Sequence, residues 1–418
     1  MRICVIGAGI AGLSAASALS QRHDVTVFEA NDYAGGHTHT VDVHDGEYTL
    51  AIDTGFIVFN ESNYPRLCSL FDQLGIESRD TDMSFSVRCE RNNIEWNGSS
   101  LNQVFAQRRN VLRPTHWRML LDIQRFHRHA TTQLASLDDS VTVDAWLDRE
   151  RFSRAFAERY LLPLGASLWS CSALRFSEFP MRFVLEFLHN HHMLQVSDRP
   201  VWKTVIGGSR EYVKKLIKPF ALNVRLNTPV TSVRRLRSGV EVCIANDRPQ
   251  SFDEVVFACH ADQGLRLLAD ADAVEREVLT AFPYQVNEAV LHTDTALLPE
   301  RRSAWASWNY RIPREPRDEV CVTYNMNMLQ GLESKTVWCL SLNPGHAVDP
   351  DKIVRRFHYD HPLFSTGRGA AQARHHELIR RRGVSFCGAY WGYGFHEDGL
   401  SSALRVCQGF EQELGVAA

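Results

Sequence analysis

Short apolar runs set the frame of this chain. Ile3-Cys4-Val5-Ile6 is unbroken and of strand length, and Val25-Thr26-Val27-Phe28 follows it. Runs this short and this apolar read as strands buried on both faces, the habit of a parallel sheet. Between them, Ala11 to Leu19 is rich in small residues and reads as a helix lying close on that sheet. Strand signals return much later, at Asn227–Val233, Gly239–Val242, Phe252–His260 and Val384–Tyr390. A β-α-β opening with distant strands of the same kind predicts an α/β fold whose sheet is assembled from separated segments.

Two long stretches interrupt that pattern. In residues 81–199 the apolar positions take helical spacing over Leu101–Val111, Pro114–Ala135 and Asp144–Leu162, with a break at Pro163. In residues 284–382 strand signals dominate, at Glu288–Thr293, Ala304–Tyr310, Val320–Tyr324 and Thr336–Leu342. The division that follows is one discontinuous domain of residues 1–80, 200–283 and 383–418. A mixed α+β domain of residues 81–199 and 284–382 is interleaved with it. A ligand site belongs at their boundary.

Glycine spacing supplies the first chemistry. Gly7, Gly9 and Gly12 form G-x-G-x-x-G between the first strand and the first helix, and Glu29 ends the second strand. This is the dinucleotide fingerprint in its structural context. Gly7 permits the tight turn, Gly9 lets backbone amides approach a pyrophosphate, and Gly12 lets the helix close on the sheet. Ile10 and Ala11 then open the helix, whose free N–H groups favour an anion. Glu29 and the adjoining Ala30 stand where a ribose is bound, and a carboxylate there accepts from ribose hydroxyls. This reading accounts for more residues than a signal peptide built on Met1–Arg2 and the apolar run.

Gly35 and Gly36 follow, in Glu29-Ala30-Asn31-Asp32-Tyr33-Ala34-Gly35-Gly36-His37-Thr38-His39-Thr40. With this pair the chain resembles the FAD-dependent amine-oxidase and phytoene-desaturase superfamily, and within it a bacterial branch of NAD/FAD-binding oxidoreductases. The resemblance runs nearly end to end. It takes in Asp53-Thr54-Gly55-Phe56, Gly207-Gly208-Ser209, Val230, and the closing stretch from Gly388 through His396-Glu397-Asp398-Gly399-Leu400. It implies a Rossmann-like FAD-binding domain of the GR2 type, interleaved with the substrate domain. It also implies FAD contacts from Gly35, Gly36, His37, Thr38, Gly55, Val230, Gly388, Asp398, Gly399 and Leu400. Asp53 is implied near the edge of the flavin ring. The final helix, read as starting near Ser401, points its amino terminus at the flavin. Where many relatives carry an acid after the strand glycine, Ala389 follows Gly388.

The activity implied is hydride transfer from substrate to flavin N5. Amine oxidases often place a lysine opposite N5; here Asn287 stands in that place, with no lysine near. His396 is a candidate proton donor or flavin-tuning group, with helix capping by Asp398 as the plainer account of that stretch. Desaturation or isomerisation of a lipid acyl or polyene chain is the favoured reaction. Amine oxidation, a non-catalytic FAD-binding module and a flavin-free NAD dehydrogenase remain as rivals. Aromatic residues at Trp169, Phe176, Phe179, Phe183, Trp305, Trp308, Tyr310, Tyr324, Trp391 and Tyr393 suit either packing or an apolar tunnel.

Composition adjusts this picture in two places. The 418 residues carry 46 basic and 49 acidic side chains, a net charge of −3, which gives no reason to invoke nucleic acid. Yet Arg108, Arg109, Arg113, Arg118, Arg125 and Arg128 cluster with Trp117 and Phe126. The cluster reads either as a solvated helix face or as a patch resting on an anionic lipid surface. Ten scattered cysteines without a CxxC pair read as reduced thiols in a cytoplasmic protein. Cys387 and Cys407 lie in the cofactor region, but nothing in their context demands a covalent flavin link. The run His189-Asn190-His191-His192 lacks ligand spacing, so no metal is expected. The sequence leaves the oligomeric state open.

Overall fold

A computed structural model describes residues 1–134, 137–195, 200–315, 317–365 and 367–411. Its central sheet has five parallel strands in the order Val224–Arg225, Asp24–Phe28, Arg2–Ile6, Glu254–Phe257 and Val384–Phe386. The strand Arg2–Ile6 has its near neighbour Asp24–Phe28 on one side and the distant Glu254–Phe257 on the other. Ile3, Cys4 and Val5 have no exposed surface, as expected of a central parallel strand. The helix Ile10–Leu19 packs on this sheet through Leu13, Ala15 and Ala16, with the closing helix His396–Gly409 against it. Residues 230–252 form a separate antiparallel sheet of Val230–Arg235, Val240–Ile244 and Gln250–Phe252.

A second sheet of seven strands takes its members from both intervening stretches. Its order is Ile353–Pro362, Tyr284–His292, Cys339–Leu342, Val322–Asn325, Trp308–Ile312, Phe85–Cys89 and Ile94–Asn97. Only Trp308–Ile312 and Phe85–Cys89 pair in parallel. Three of these strands depart from the sequence reading. Phe85–Cys89 and Ile94–Asn97 lie in the stretch read as largely helical. Ile353–Pro362 is an edge strand whose Arg355, Arg356 and His358 mask any apolar alternation.

The helices cover the other side of the chamber that this sheet helps enclose. Pro114–Gln133 is the longest, and the expectation that it continues to Ala135 falls outside the described residues. Leu101–Val111 is not one helix: it divides into the turn Leu101–Val104 and a 3-10 segment, Arg108–Leu112. No break occurs at Pro163 either. A π-helical turn, Ala157–Leu161, precedes it, and the proline sits at the start of the helix Leu162–Leu168, where a missing N–H costs little. The closing helix begins at His396, not near Ser401, because Asp398 Oδ2 accepts the Phe395 N–H at 2.9 Å and caps the first turn.

One buried carboxylate joins three parts of the chain. Asp53 ends the hairpin Thr40–Asp45/Tyr48–Asp53 and has no exposed surface. Its oxygens accept from the Thr40 hydroxyl at 2.6 Å, the Ser209 N–H at 2.9 Å, the Ser209 hydroxyl at 2.8 Å and Gln330 Nε2 at 3.1 Å. Gly208 passes so near that a Cβ would stand 2.4 Å from Thr40 Cγ2. Burial pushes the Asp53 carboxyl up to about 6, against the lowering effect of its donors. Asp53→Ala leaves those donors buried and unpaired. We expect urea unfolding to show a loss of about 3–5 kcal/mol; a loss under ~1 kcal/mol contradicts this account.

Candidate active site

One cavity of about 1380 Å³ runs from the glycine-rich turn into the chamber between the seven-stranded sheet and the helices. Single-ligand pockets are about 300–1,000 Å³, so this one has room for two occupants. Its walls include Gly7, Gly9, Ile10, Ala11, Glu29, Ala30, Gly35, Gly36, His37, Gly55, Val230, Gly388 and His396. Of the residues read from sequence as cofactor-binding, Gly12, Thr38, Asp398, Gly399 and Leu400 do not reach the wall.

The three glycines of the fingerprint have different tasks in space. A Cβ on Gly12 would stand 1.9 Å from the Gly7 carbonyl oxygen, so Gly12 serves helix-to-strand packing. Gly7 has φ +104, a conformation glycine favours, and a Cβ there would meet the Ala258 carbonyl oxygen at 2.9 Å. A Cβ on Gly9 would meet nothing within 4 Å. That open face belongs to the cavity, which is what a bound pyrophosphate requires. Gly36 lies against Gly9, and the Gly35 N–H donates to the Ala8 carbonyl at 2.7 Å. Glu29 is buried, and its two oxygens accept the N–H groups of Ala8 at 2.7 Å and Asn31 at 2.9 Å. This fixes the carboxylate on the wall with lone pairs left over. These residues fit a flavin dinucleotide.

Histidines dominate the middle of the cavity. His37, His260, His361 and His396 all line it. The His37 ring centroid lies 6.2 Å from that of His260 and 5.4 Å from that of His361. Burial is the first cause of a lowered pKa in each: about 4 for His37, about 3 for His361 and His396, and a lowering for His260. For His37 the second cause is His260; for His361 it is His37, then His260. All four are therefore neutral at physiological pH. His396 therefore rests as a neutral imidazole rather than as a cation. Its Nε2 is tied to the Thr38 hydroxyl at 2.9 Å, and its ring stacks on Phe56 at 3.7 Å. Thr38 thus acts behind the wall, between His396 and Tyr212.

Asn287 departs from expectation more sharply. It is fully buried and is not on the cavity wall. Its register partner is Tyr359, and its side chain bonds His361 across the strand pair. The wall position belongs to His361, on a strand the sequence reading did not find. Asp53 likewise stands behind the wall, as the link described above. Cys387 and Cys407 are buried and off the wall.

The far chamber is apolar. Trp96, Leu164, Trp169, Trp308, Tyr324 and Leu340 line it. Tyr160 joins them from the π turn, its hydroxyl 3.1 Å from His127 Nε2. Of the aromatic candidates, Trp169, Trp308, Tyr324 and Tyr393 reach the cavity, whereas Phe176, Phe179, Trp305, Tyr310 and Trp391 do not. Phe183 packs against Phe364 and Tyr393 behind it. Among the described lining residues only Glu29, Asp82 and Asp360 are acidic, and none is lysine.

Comparison with known proteins decides the family. The profile described as "Flavin containing amine oxidoreductase" matches residues 10–409. The chain belongs to that family. FAD is the family's cofactor, and the protein is an FAD-dependent oxidoreductase. A 15-cis-phytoene desaturase of Synechococcus elongatus is 38% identical over 80 residues, a match covering 19% of this chain and only 16% of that enzyme. Solved structures agree over almost the whole length. Putrescine oxidase bound to putrescine gives a TM-score of 0.69 at 16% identity, covering 98% of this chain and 99% of that one. A fatty acid isomerase from P. acnes that produces CLA gives 0.68 at 15% identity, covering 98% of each chain. At such identities the likeness shows the fold alone.

The geometry separates two glycine substitutions. Gly9→Val fills open cavity, so FAD content per chain should fall at least tenfold while the melting temperature of the FAD-free chain stays near that of the native FAD-free chain. Gly12→Val drives a side chain into the Gly7 carbonyl and should cost about 2–3 kcal/mol or more in fold stability. Flavin absorbance and thermal melts check both; equal effects on both readouts for both variants would contradict the assignment.

Proposed function

We propose that this oxidoreductase acts on a lipid acyl or polyene chain, by desaturation or by redox-neutral isomerisation. The observation that carries the reading is the apolar chamber continuous with the dinucleotide end of the cavity. A flexible hydrocarbon gains stability there from burial alone, at about 0.8 kcal/mol per CH₂. A cationic amine finds few partners: Glu29 is held at the dinucleotide end, and Asp82 accepts the Ser307 hydroxyl at 3.1 Å. Bound FAD supplies two-electron oxidising chemistry. Gly9, Glu29, Gly35 and Gly36 are the residues placed to hold it. The chain's aromatic wall excludes water, and its neutral histidines offer hydrogen bonds without adding charge.

A specific surface supports lipid as the source of substrate. Leu101, Val111, Leu112, Trp117 and Leu121 are all exposed, Leu112 at 85%. Arg108, Arg109 and Arg113 stand among them and, among the described residues, bond Asn102 Oδ1 and the Asn92 and Asn93 carbonyls. None of the three makes an ion pair among the described residues. The helix Pro114–Gln133, which carries Trp117 and Leu121 of this surface, turns Leu120, Ile123 and His127 into the cavity. This patch therefore suits an anionic bilayer bearing the substrate. Two of the six clustered arginines play no part, since Arg118 and Arg125 pair with Asp122, and Phe126 is buried.

Amine oxidation is the second reading, favoured by the likeness to putrescine oxidase. The test is anaerobic mixing with an oleoyl phospholipid, a free fatty acid, a polyene and a primary amine, with flavin bleaching and product mass followed. We expect a chain product either lighter by two hydrogens or isomeric. Bleaching by the amine alone would overturn the proposal, and a flavin that no substrate or dithionite reduces would point to a non-catalytic module. Flotation with anionic vesicles should recover the native chain and lose most of a Leu112→Ser/Trp117→Ser variant; equal flotation would exclude the patch.

A further inference from the structure

The hydrogen bonds behind His361 determine which of its nitrogens carries the proton. The Glu288 N–H can only donate, and it donates to Asn343 Oδ1 at 2.9 Å. That fixes the Asn343 amide. Its Nδ2 then faces the Val320 carbonyl at 3.3 Å, which can only accept, and Asn287 Oδ1 at 2.7 Å. The Asn287 amide is thereby fixed in turn, with Nδ2 turned to His361 Nδ1 at 2.9 Å. An amide nitrogen donates, so Nδ1 must accept. Asn287 and Asn343 are both buried, so no water competes for these bonds.

We infer that His361 is a preset hydrogen-bond donor, its proton on Nε2 and presented to the cavity, with Asn287 and Asn343 as positioning residues. The recipient is an acceptor atom of the bound FAD. This deepens the reading of the site as a flavin site. The loop around His37 carries the argument: Gly36 lies against Gly9 of the dinucleotide turn, and the His37 ring stands 5.4 Å from that of His361. Among the described residues no protein group bonds His361 Nε2. Asp360, next in the strand, turns instead toward His260, Oδ2 to Nδ1 at 3.7 Å. Burial and the neighbouring His37 and His260 also hold the ring neutral, as the tautomer requires. The fixed donor works without a charge, so it favours electron density on its partner without depositing a cation beside an apolar substrate.

The test uses the flavin-loaded full chain labelled with ¹⁵N-histidine, with the His361 signals assigned by their loss in His361→Gln. The native chain should show the neutral Nε2–H tautomer at pH 7. Asn287→Asp should shift the proton to Nδ1, since a carboxylate accepts; Asn287→Leu should leave the tautomer mixed. On dilution, His361→Leu should release FAD about tenfold more readily, the worth of one hydrogen bond. His361→Gln, able both to accept and to donate, should retain it. An Nδ1–H tautomer in the native chain, or FAD retention by His361→Leu equal to native, overturns the inference. Should His361→Leu fail to fold, the tautomer in the native and Asn287→Asp chains decides alone. A folded chain that holds no FAD at all would instead refute the flavin reading itself.

Discussion

A chain threaded back and forth between two sheets needs something to hold its crossings in register, and Asp53 does so. Its carboxylate gathers the start of the hairpin that contains it, the Gly208–Ser209 turn of the dinucleotide domain, and Gln330, just past the strand Val322–Asn325 at the middle of the seven-stranded sheet. Gln330 Oε1 in turn accepts the Asp53 N–H at 2.8 Å. Ser209 and Gln330 are buried, and the Ser209 N–H and hydroxyl would be unpaired without Asp53. The loop that follows places His37 and Phe56 on the cavity, because Gly55 is small enough to pass the His37 carbonyl oxygen. The shape of the cofactor end thus rests on a group that does not touch the cavity.

The electrostatics of the site follow from the same enclosure. His37, His260, His361 and His396 meet at the middle of the cavity, and desolvation keeps these four neutral. Protonating any one would place a charge in a space where acids are few, with Asp360 of the sheet edge near His37 and Asp262 near His260. The site thereby keeps many hydrogen-bonding groups and little charge, a combination that tolerates hydrocarbon next to a polar cofactor.

The sequence disclosed the parts of this arrangement that are local. The glycine fingerprint, Glu29 and the Gly35–Gly36 pair are contiguous signals, and each sits where its spacing puts it. Long-range pairings were harder to read. Asn287 looked like a wall residue because its place in the strand matched a flavin-facing lysine. The true wall residue, His361, lies diagonally across from it on Ile353–Pro362. That strand is an edge, and edges need no apolar alternation, so nothing in its composition announces it. Phe85–Cys89 and Ile94–Asn97 do alternate apolar with polar residues, but they are short and lie in a stretch whose other apolar positions take helical spacing. The π turn at Ala157–Leu161 was also hidden, since an extra residue in a helical turn leaves apolar periodicity almost unchanged.

The position of Arg2–Ile6 at the centre of the parallel sheet has a consequence for biosynthesis. Its second neighbour, Glu254–Phe257, leaves the ribosome about 250 residues later, which is roughly 10–50 s at ordinary rates of synthesis. Throughout that interval the most apolar strand of the protein has one open edge. Such an edge invites pairing with other chains, so the nascent protein depends on a chaperone or on prompt helix packing to cover it. The cofactor cannot shorten the wait, because the wall that receives it includes Ala258 and Gly388.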